Sequence, residues 1–255
     1  MRVVAWNILD GGVGRADPIA EVLLAQRPDL VALVEADDQS VIDRLASRLR
    51  ATAVRGQARK GTSAAILSRF DFVHTINHAA LHEDGPRSCL EARLRDPDGR
   101  EWDVFAVHLS ARATLDDEQR RLVELSRLLE ITAPRRRENR PHLLLGDFNS
   151  NSPVQHFDPA SAHPRTREAY QANGNVLPRM VVQRLLDEGY LDTLHAVLGD
   201  RARSLMSFTT LHPGQRLDYV FAWGMSPGHL HDAWIEHDSL ARYASDHFPV
   251  GATLD

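Results

Sequence analysis

Cysteine is almost missing from this sequence: Cys89 stands alone, so no internal disulfide can form. Long apolar runs are missing too. Nothing approaches the ~18 consecutive apolar residues that a membrane span needs. The chain opens directly on Arg2-Val3-Val4-Ala5-Trp6, without a charged leader segment followed by a long apolar one. A cytoplasmic protein without a membrane span is the expectation. A surplus of positive charge is also lacking. The formal net charge of −5 argues against a broad basic surface made for nucleic acid, although a local cationic groove survives that balance. The densest basic run, Arg135-Arg136-Arg137 with Arg140 just beyond, reads as a solvated loop. There is no internal repeat, no low-complexity tract, and no Cys/His cluster with zinc spacing. Cys89 lies in the alternating stretch Cys89-Leu90-Glu91-Ala92-Arg93-Leu94 and reads as a packed strand thiol rather than a nucleophile.

What is present is a core. Apolar residues make up 43% of the 255 positions, enough for one large domain. Short apolar runs alternate with amphipathic segments. Strands are predicted at Val3 to Ile8, Leu30 to Val34, Ala64 to Leu67, Phe72 to Ile76, Cys89 to Leu94, Trp102 to Leu109, His142 to Leu145, Leu217 to Ala222 and Phe248 to Leu254. Asp17-Pro18 reads as an N-cap and first-turn proline opening a helix to about Gln26. Gln39 to Leu49, Leu115 to Ile131 and Met180 to Leu186 have helical spacing, and Pro97-Asp98-Gly99 supplies a hairpin turn. Residues 151–215 are rich in Pro, Asn, His and Gly with poor periodicity, and read as an irregular surface excursion from a single domain covering 1–255. Hairpins mixed with helices suggest an α/β (α+β) chain, two sheets covered by helices on their outer faces.

The chemistry collects where apolar runs stop. Val3 to Trp6 delivers Asn7, Leu30 to Val34 delivers Glu35, and Val104 to Val107 delivers His108. Leu143-Leu144-Leu145-Gly146 delivers Asp147 and Asn149, which extended backbone would aim into one space, since side chains at i and i+2 share a face. Asp218 follows Arg216-Leu217, and Asp246-His247 precedes Phe248-Pro249-Val250. A lone Asn or Asp in such a place is usually a turn residue, and a lone His is as often a satisfied core histidine. The recurrence at six strand exits is what points to a site. Glu35, Asp147, Asn149 and Asp246 offer oxygen, which suits a hard divalent cation such as Mg²⁺ or Mn²⁺. His108 and His247 suit proton transfer near neutrality, and Asp218 is placed to fix a histidine tautomer and raise its pKa.

These elements in this order resemble the endonuclease/exonuclease/phosphatase superfamily, the deoxyribonuclease I-like fold. The resemblance rests on Trp6-Asn7, Glu35, Ala65-Ile66-Leu67-Ser68-Arg69, Val107-His108-Leu109, Gly146-Asp147-Phe148-Asn149, Arg216-Leu217-Asp218-Tyr219-Val220 and Ser245-Asp246-His247-Phe248-Pro249-Val250. It implies a four-layer α/β/β/α sandwich with two central mixed β-sheets flanked by helices, and metal-dependent hydrolysis of a phosphoester. By the same resemblance Glu35 is the main ligand of one ion, assisted by Asn7 and Asp246. Asp147 orients and helps deprotonate the attacking water. Asn149 holds a phosphate oxygen or, with Asp147, a second ion. His247 acts as general base or stabilises the pentavalent phosphorus with Asp218 behind it, and His108 bonds a phosphate oxygen or assists the leaving group. In deoxyribonucleases a glutamate backs the first histidine. The nearest matching position here is Ser88, with Glu91 three residues on, which leaves the partner of His108 open. The tyrosine of apurinic endonucleases at the His108 position, and the Trp, Arg and Asp-Arg signatures of inositol polyphosphate 5-phosphatases, are absent.

The expected activity is in-line attack of a metal-activated water on phosphorus by a monomer. A small or lipid-derived phosphodiester is the first substrate reading. A nuclease is the second, with a groove drawn from Arg59, Lys60, Arg69, Arg112 and Arg165, and Arg112 as a substrate contact. A phosphomonoesterase and a non-catalytic binding module rank lower, because no motif residue is lost. His156, His163, His195, His212, His229, His231 and His237 read as mostly exposed, and Phe157, Tyr170 and Phe208 as small core contacts.

Overall fold

A computed structural model describes residues 1–58, 61–82 and 84–255. Along the chain run β1 (Arg2–Asn7), α1 (Ala16–Gln26), β2 (Leu30–Val34), α2 (Gln39–Leu49), β3 (Thr52–Gly56), β4 (Ala64–Ser68) and β5 (Asp71–Asn77). Then come β6 (Ser88–Arg95), β7 (Glu101–His108), α3 (Leu115–Arg137), β8 (His142–Asp147), α4 (Pro164–Ala172), α5 (Met180–Asp187) and β9 (Leu191–Asp192). The chain closes with α6 (Thr193–Leu198), β10 (Asp218–Trp223), β11 (Leu230–Ile235), α7 (Ser239–Ala244) and β12 (Val250–Leu254). Two mixed six-stranded sheets result, ordered β11-β12-β1-β2-β4-β3 and β5-β6-β7-β8-β10-β9. No described helix is long and apolar enough to cross a membrane.

Alternation along the central strands assigns the layers. Val104 and Ala106 of β7, Leu143 and Leu145 of β8, and Val220 and Ala222 of β10 join the cluster between the sheets. Their neighbours Phe105, Val107, Leu144, Tyr219 and Phe221 join a second cluster with Leu125, Leu128 and Leu129 of α3 and Val181, Val182 and Leu185 of α5. Strand periodicity of two makes this split automatic. On the other sheet Ile19 and Leu23 of α1 and Ile42 and Leu45 of α2 are fully buried, and α1 packs against both α2 and α7. The expected four-layer sandwich is therefore present.

Three local expectations change. Residues 151–215 hold more than the one helix expected at Met180 to Leu186 (α5): α4, β9 and α6 lie there too, and their short lengths and many turn residues hide their periodicity. Arg135-Arg136-Arg137 is the last turn of α3, not a solvated loop; Arg135 pairs with buried Glu91 and Arg136 with Glu188. Asp17 lies in the first turn of α1 rather than at its N-cap, and its carboxylate takes Arg44 and Arg48 from α2. Cys89 is fully buried in β6 as expected, and burial pushes its thiol pKa up.

Arg216 and Asp192 form a fully desolvated pair, Nη1 to Oδ1 3.0 Å, joining β9 to the segment that enters β10. Removing one partner leaves a buried charge alone, so Asp192→Ala is expected to cost about 3–5 kcal/mol in urea unfolding, and a loss below ~1 kcal/mol would contradict the pairing. His142 is buried beside Tyr190, and burial pushes its pKa down from 6.5 to about 4. Between those values the unfolded chain binds the extra proton and the native state does not. Stability should thus fall as pH drops from 6.5 to 4. The slope should be shallower in His142→Gln by ~1 kcal/mol per pH unit, measured as unfolding free energy against pH.

Candidate active site

Strand register lays the site out. His108 is paired with Asp147 across β7 and β8, and Asp147 with Asp218 across β8 and β10. Each continues the inner-facing set of its strand, after Ala106, after Leu145 and before Val220. Three chemically active side chains therefore stand in a row at one end of the space between the sheets. The facing sheet supplies Asn7 at the end of β1, whose Nδ2 donates to Asp147 Oδ2 at 3.1 Å and to Glu35 Oε1 at 3.3 Å. Gly146 is what lets β8 lie this close to β7. Its φ is +138°, and a Cβ there would fall 2.1 Å from the Val107 carbonyl oxygen.

His247 arrives from the segment before β12. Its backbone is fixed by Trp6 Nε1, which donates to the His247 carbonyl at 2.8 Å, and by Ser245 Oγ, which accepts the His247 N–H at 3.2 Å and donates to the Asn7 carbonyl at 2.7 Å. Its ring bonds Asp218 Oδ2 through Nδ1 at 2.8 Å and brings Nε2 to 3.8 Å from Asp147 Oδ2. The Phe208 ring covers it at 4.6 Å. Burial opposes charge on His247, but the Asp218 and Asp147 carboxylates outweigh it and push its pKa up to about 10. Burial, then the Asp218 charge, pushes Asp147 up to about 7. His108 goes the other way: burial, with Arg87 and His247 beside it, holds its pKa well below 6.5. Its Nε2 is 3.5 Å from Asp147 Oδ2, and its Nδ1 meets Thr62 Oγ1 at 3.0 Å. With Nε2 facing a carboxylate, the neutral ring carries its proton there and accepts the Thr62 hydroxyl hydrogen.

All eight residues expected at the site except Asp218 line one cavity of about 660 Å³, with Asp218 directly behind His247: Asn7, Glu35, His108, Asp147, Asn149, Asp246 and His247. Glu35 follows β2 with φ +56° and accepts the Asp10 N–H at 3.0 Å. Asp246 Oδ1 is buried without a hydrogen-bond partner, an expensive state for a carboxylate oxygen unless a cation completes it. Asp147, Asp218 and His247 also bring one ligand atom each within 4.8 Å of one another. Asp218 Oδ1 is likewise unpartnered, but that trio is a poorer cation site, because the His247 imidazolium already sits against both carboxylates and would repel an ion. The oxygen set of Asn7, Glu35 and Asp246 fits a hard divalent ion better.

Asn149 reaches the cavity by a different route from the one expected. β8 ends at Asp147, and Asn149 has φ +50°. Its N–H is caught by Asp147 Oδ1 at 2.9 Å and its Nδ2 donates to the Leu109 carbonyl at 3.1 Å, so a turn, not continued strand, delivers it. Among the described residues, the expected basic groove is split. Arg112 and Arg165 line the cavity, Arg69 lines a separate hollow with Arg27, Arg48 and Arg50, and Arg59 and Lys60 lie outside the described residues. Phe208 and His163 line the catalytic cavity, while Phe157 and Tyr170 face each other in another hollow, ring centroids 5.0 Å apart. Glu91 does not back His108; it is taken by His78 and Arg135. Thr62 is the partner that sequence reasoning missed, and a threonine in a loop before a strand carries no signal. Ser207 was missed for the same reason: its Oγ accepts the Leu217 and Asp218 N–H groups at 3.0 and 3.2 Å.

No curated protein matches the sequence. Among solved structures the fold is shared with an AP endonuclease from Archaeoglobus fulgidus, at TM-score 0.75 and 18% identity over 100% of this chain and 99% of that one. It is shared with the 3′-5′ exonuclease NExo from Neisseria meningitidis, at TM-score 0.73 and 22% identity over 100% of both chains. The human Nocturnin catalytic domain is also similar, at TM-score 0.69 and 20% identity over 99% of this chain and 92% of that one. Residues 4–247, which run from the first strand to the last histidine of the site, match the model of the Endonuclease/Exonuclease/phosphatase family, and the chain belongs to that family.

Proposed function

We propose that the protein is a divalent-metal-dependent phosphodiesterase acting on a small or lipid-derived diester. The observation that carries the hydrolase reading is one cavity in which an oxygen donor set lies with a charged histidine, a neutral histidine and a carboxylate with its pKa near neutrality, and the net charge of −5 favours the small diester over nucleic acid. Asn7, Glu35 and Asp246 would hold Mg²⁺ or Mn²⁺, with Asp147 and Asn149 as further oxygens should two ions bind. When bound, the ion supplies Lewis acidity toward a phosphoryl oxygen and acidifies bound water.

The chain's own groups divide the remaining work by protonation state. Asp147, pushed up to about 7, is poised as the general base that orients a water and takes its proton. Asn7 Nδ2 and the Asn149 N–H fix its two oxygens, so the carboxylate has little freedom to rotate. His247, with a pKa of about 10, is an imidazolium at neutral pH. It is therefore suited to hydrogen-bond a phosphoryl oxygen as negative charge develops, rather than to act as a base. Neutral His108 presents an Nε2–H to the same space and serves as a second donor. Asn149 Nδ2 is spent on the Leu109 carbonyl, so its Oδ1 would be the atom available to a cation.

A nuclease is the second reading, favoured by Arg112 and Arg165 on the cavity wall. Supercoiled plasmid, an aryl phosphodiester and an aryl phosphomonoester assayed side by side separate the alternatives. Diester turnover without nicking supports the small-substrate reading, nicking selects the nuclease, and monoester turnover alone overturns both.

Alanine at His108, Asp147 or His247 should lower kcat by ~10²–10³ with an unchanged circular dichroism spectrum. A variant keeping half its rate would remove that residue from the mechanism. Chelation should abolish turnover and Mg²⁺ or Mn²⁺ restore it. Glu35→Gln should raise the Mg²⁺ concentration for half-maximal rate by roughly tenfold or more, and an unchanged titration would take Glu35 out of the ion's shell. The pH profile should rise as Asp147 loses its proton near 7 and fall as the His247 imidazolium is lost near 10. Asp218→Asn deletes a negative charge that raises both values, so both limbs should move to lower pH. An alkaline limb that stays in place would mean that His247 is not the group titrating there.

A further inference from the structure

Part of the cavity lining is not used by the mechanism above. Arg112 comes from the loop between β7 and α3, and Arg165 from the first turn of α4. Both are exposed, and neither guanidinium has a carboxylate or carbonyl partner among the described residues. This sets them apart from Arg121, Arg135, Arg136, Arg140 and Arg216, each committed to an ion pair.

Their placement is built rather than incidental. Arg112 has φ +86°, a conformation that a long side chain adopts only where its surroundings hold it. Arg121, fully buried and paired with Glu118 at 2.8 Å, donates Nη1 to the Arg112 carbonyl at 2.6 Å and to the Ser110 carbonyl at 2.9 Å. Asn173, the C-cap of α4, donates to the Ala113 carbonyl at 2.8 Å, which ties the Arg112 loop to the helix that carries Arg165. Glu118 also accepts the Ser150 hydroxyl at 2.9 Å, and Ser150 directly follows Asn149. The Glu118–Arg121 pair thus ties the Arg112 loop to the turn at Asn149, and Asn173 ties that loop to α4. A guanidinium fork recognises phosphate or carboxylate oxygens in two-point fashion, and it does so strongly in a partly enclosed cavity.

We infer that Arg112 and Arg165 form a second anion subsite, which selects phosphodiesters bearing another phosphate or similar anionic group beside the scissile one. This rests on the phosphodiesterase reading. The second phosphate has two sources of the same chemistry: the terminal phosphate of a small molecule, or the next linkage of an oligonucleotide.

The test compares two esters that differ by one phosphate, the p-nitrophenyl ester of thymidine 5′-phosphate with a free 3′-hydroxyl and the same ester with a 3′-phosphate. The full-length, Mg²⁺-loaded protein is used. The added phosphate should lower KM by about tenfold or more and change kcat by less than about twofold, because the new contact is made equally in ground and transition states. Arg112→Gln and Arg165→Gln should each shrink the KM ratio, and the double variant should bring it near one, as should high salt. Thermal melts establish that these exposed substitutions fold. Oligothymidylate as a competitor separates the sources: inhibition far stronger than by thymidine 3′-phosphate indicates a polymer, and equal inhibition a small molecule, either supporting the subsite. Turnover of both esters with equal KM overturns the subsite and leaves the phosphodiesterase reading standing. Turnover of neither ester overturns that reading, and the subsite with it.

Discussion

Two carboxylates held side by side in a dry place set the terms for everything around them. Asp147 and Asp218 are register partners across β8 and β10, both essentially fully buried. Like charges in that position repel strongly, and the sheet gives neither room to move away. The molecule resolves the conflict with His247. Its imidazolium sits against both, bonded to Asp218 at 2.8 Å and facing Asp147 at 3.8 Å. The two shifts are halves of one arrangement: the surplus of negative charge keeps a buried histidine protonated, and keeps one carboxylate ready to take a proton near pH 7. Such an arrangement destabilises a fold unless it is rigidly held. The ties from Trp6, Ser245, Ser207 and Asn7 are where that rigidity comes from.

Most of the sandwich was legible because it is driven by burial. Leu143 to Leu145 and Val104 to Val107 announce themselves as strands buried on both faces, and α2 announces itself by its one-sided apolar stripe. The site was legible because its residues interrupt those same runs. A polar group at the end of a buried strand is costly unless it has a purpose, so the fold signal and the functional signal coincide at Asn7, His108 and Asp147. What the sequence concealed has no such coincidence. β3 and β11 are edge strands with half-exposed, mixed residues, and they emerge only when a sheet offers them a partner. Of the helices in 151–215 only α5 shows its spacing; α4 and α6 are too short for periodicity to rise above their turn residues. Thr62 and Ser207 act through single hydroxyls brought near by tertiary structure, and nothing local distinguishes them from any other loop serine or threonine.

The Asn149 case shows how a right destination can be reached by a wrong path. Alternation along a strand predicts Asp147 and Asn149 on one face. In the structure the strand has already ended, and the two meet because Asp147 captures the backbone of Asn149 in a tight turn. The difference matters chemically. A strand would have presented two free side chains. The turn spends one oxygen of Asp147 on orienting the loop, so the carboxylate proposed as base is also the group that shapes the cavity beside it.

Two parts of the cavity lining therefore obey different rules. The reacting wall is made of strand ends whose register cannot slip without turning the core inside out, since a shift of one residue would send every inner side chain of β7, β8 or β10 to the other face. Another part of the cavity lining comes from the loop at 111–114 and from helix α4, which carry no part of either sheet. Substitution there leaves the sandwich intact, so substrate preference is free to vary while the chemistry stays fixed. The left-handed Arg112 and the buried Glu118–Arg121 pair beneath it mark the place where this chain has given that freedom up. An arginine at φ +86° over a desolvated ion pair is a costly arrangement. The strain makes sense if the guanidinium has to stand at one particular point over the cavity.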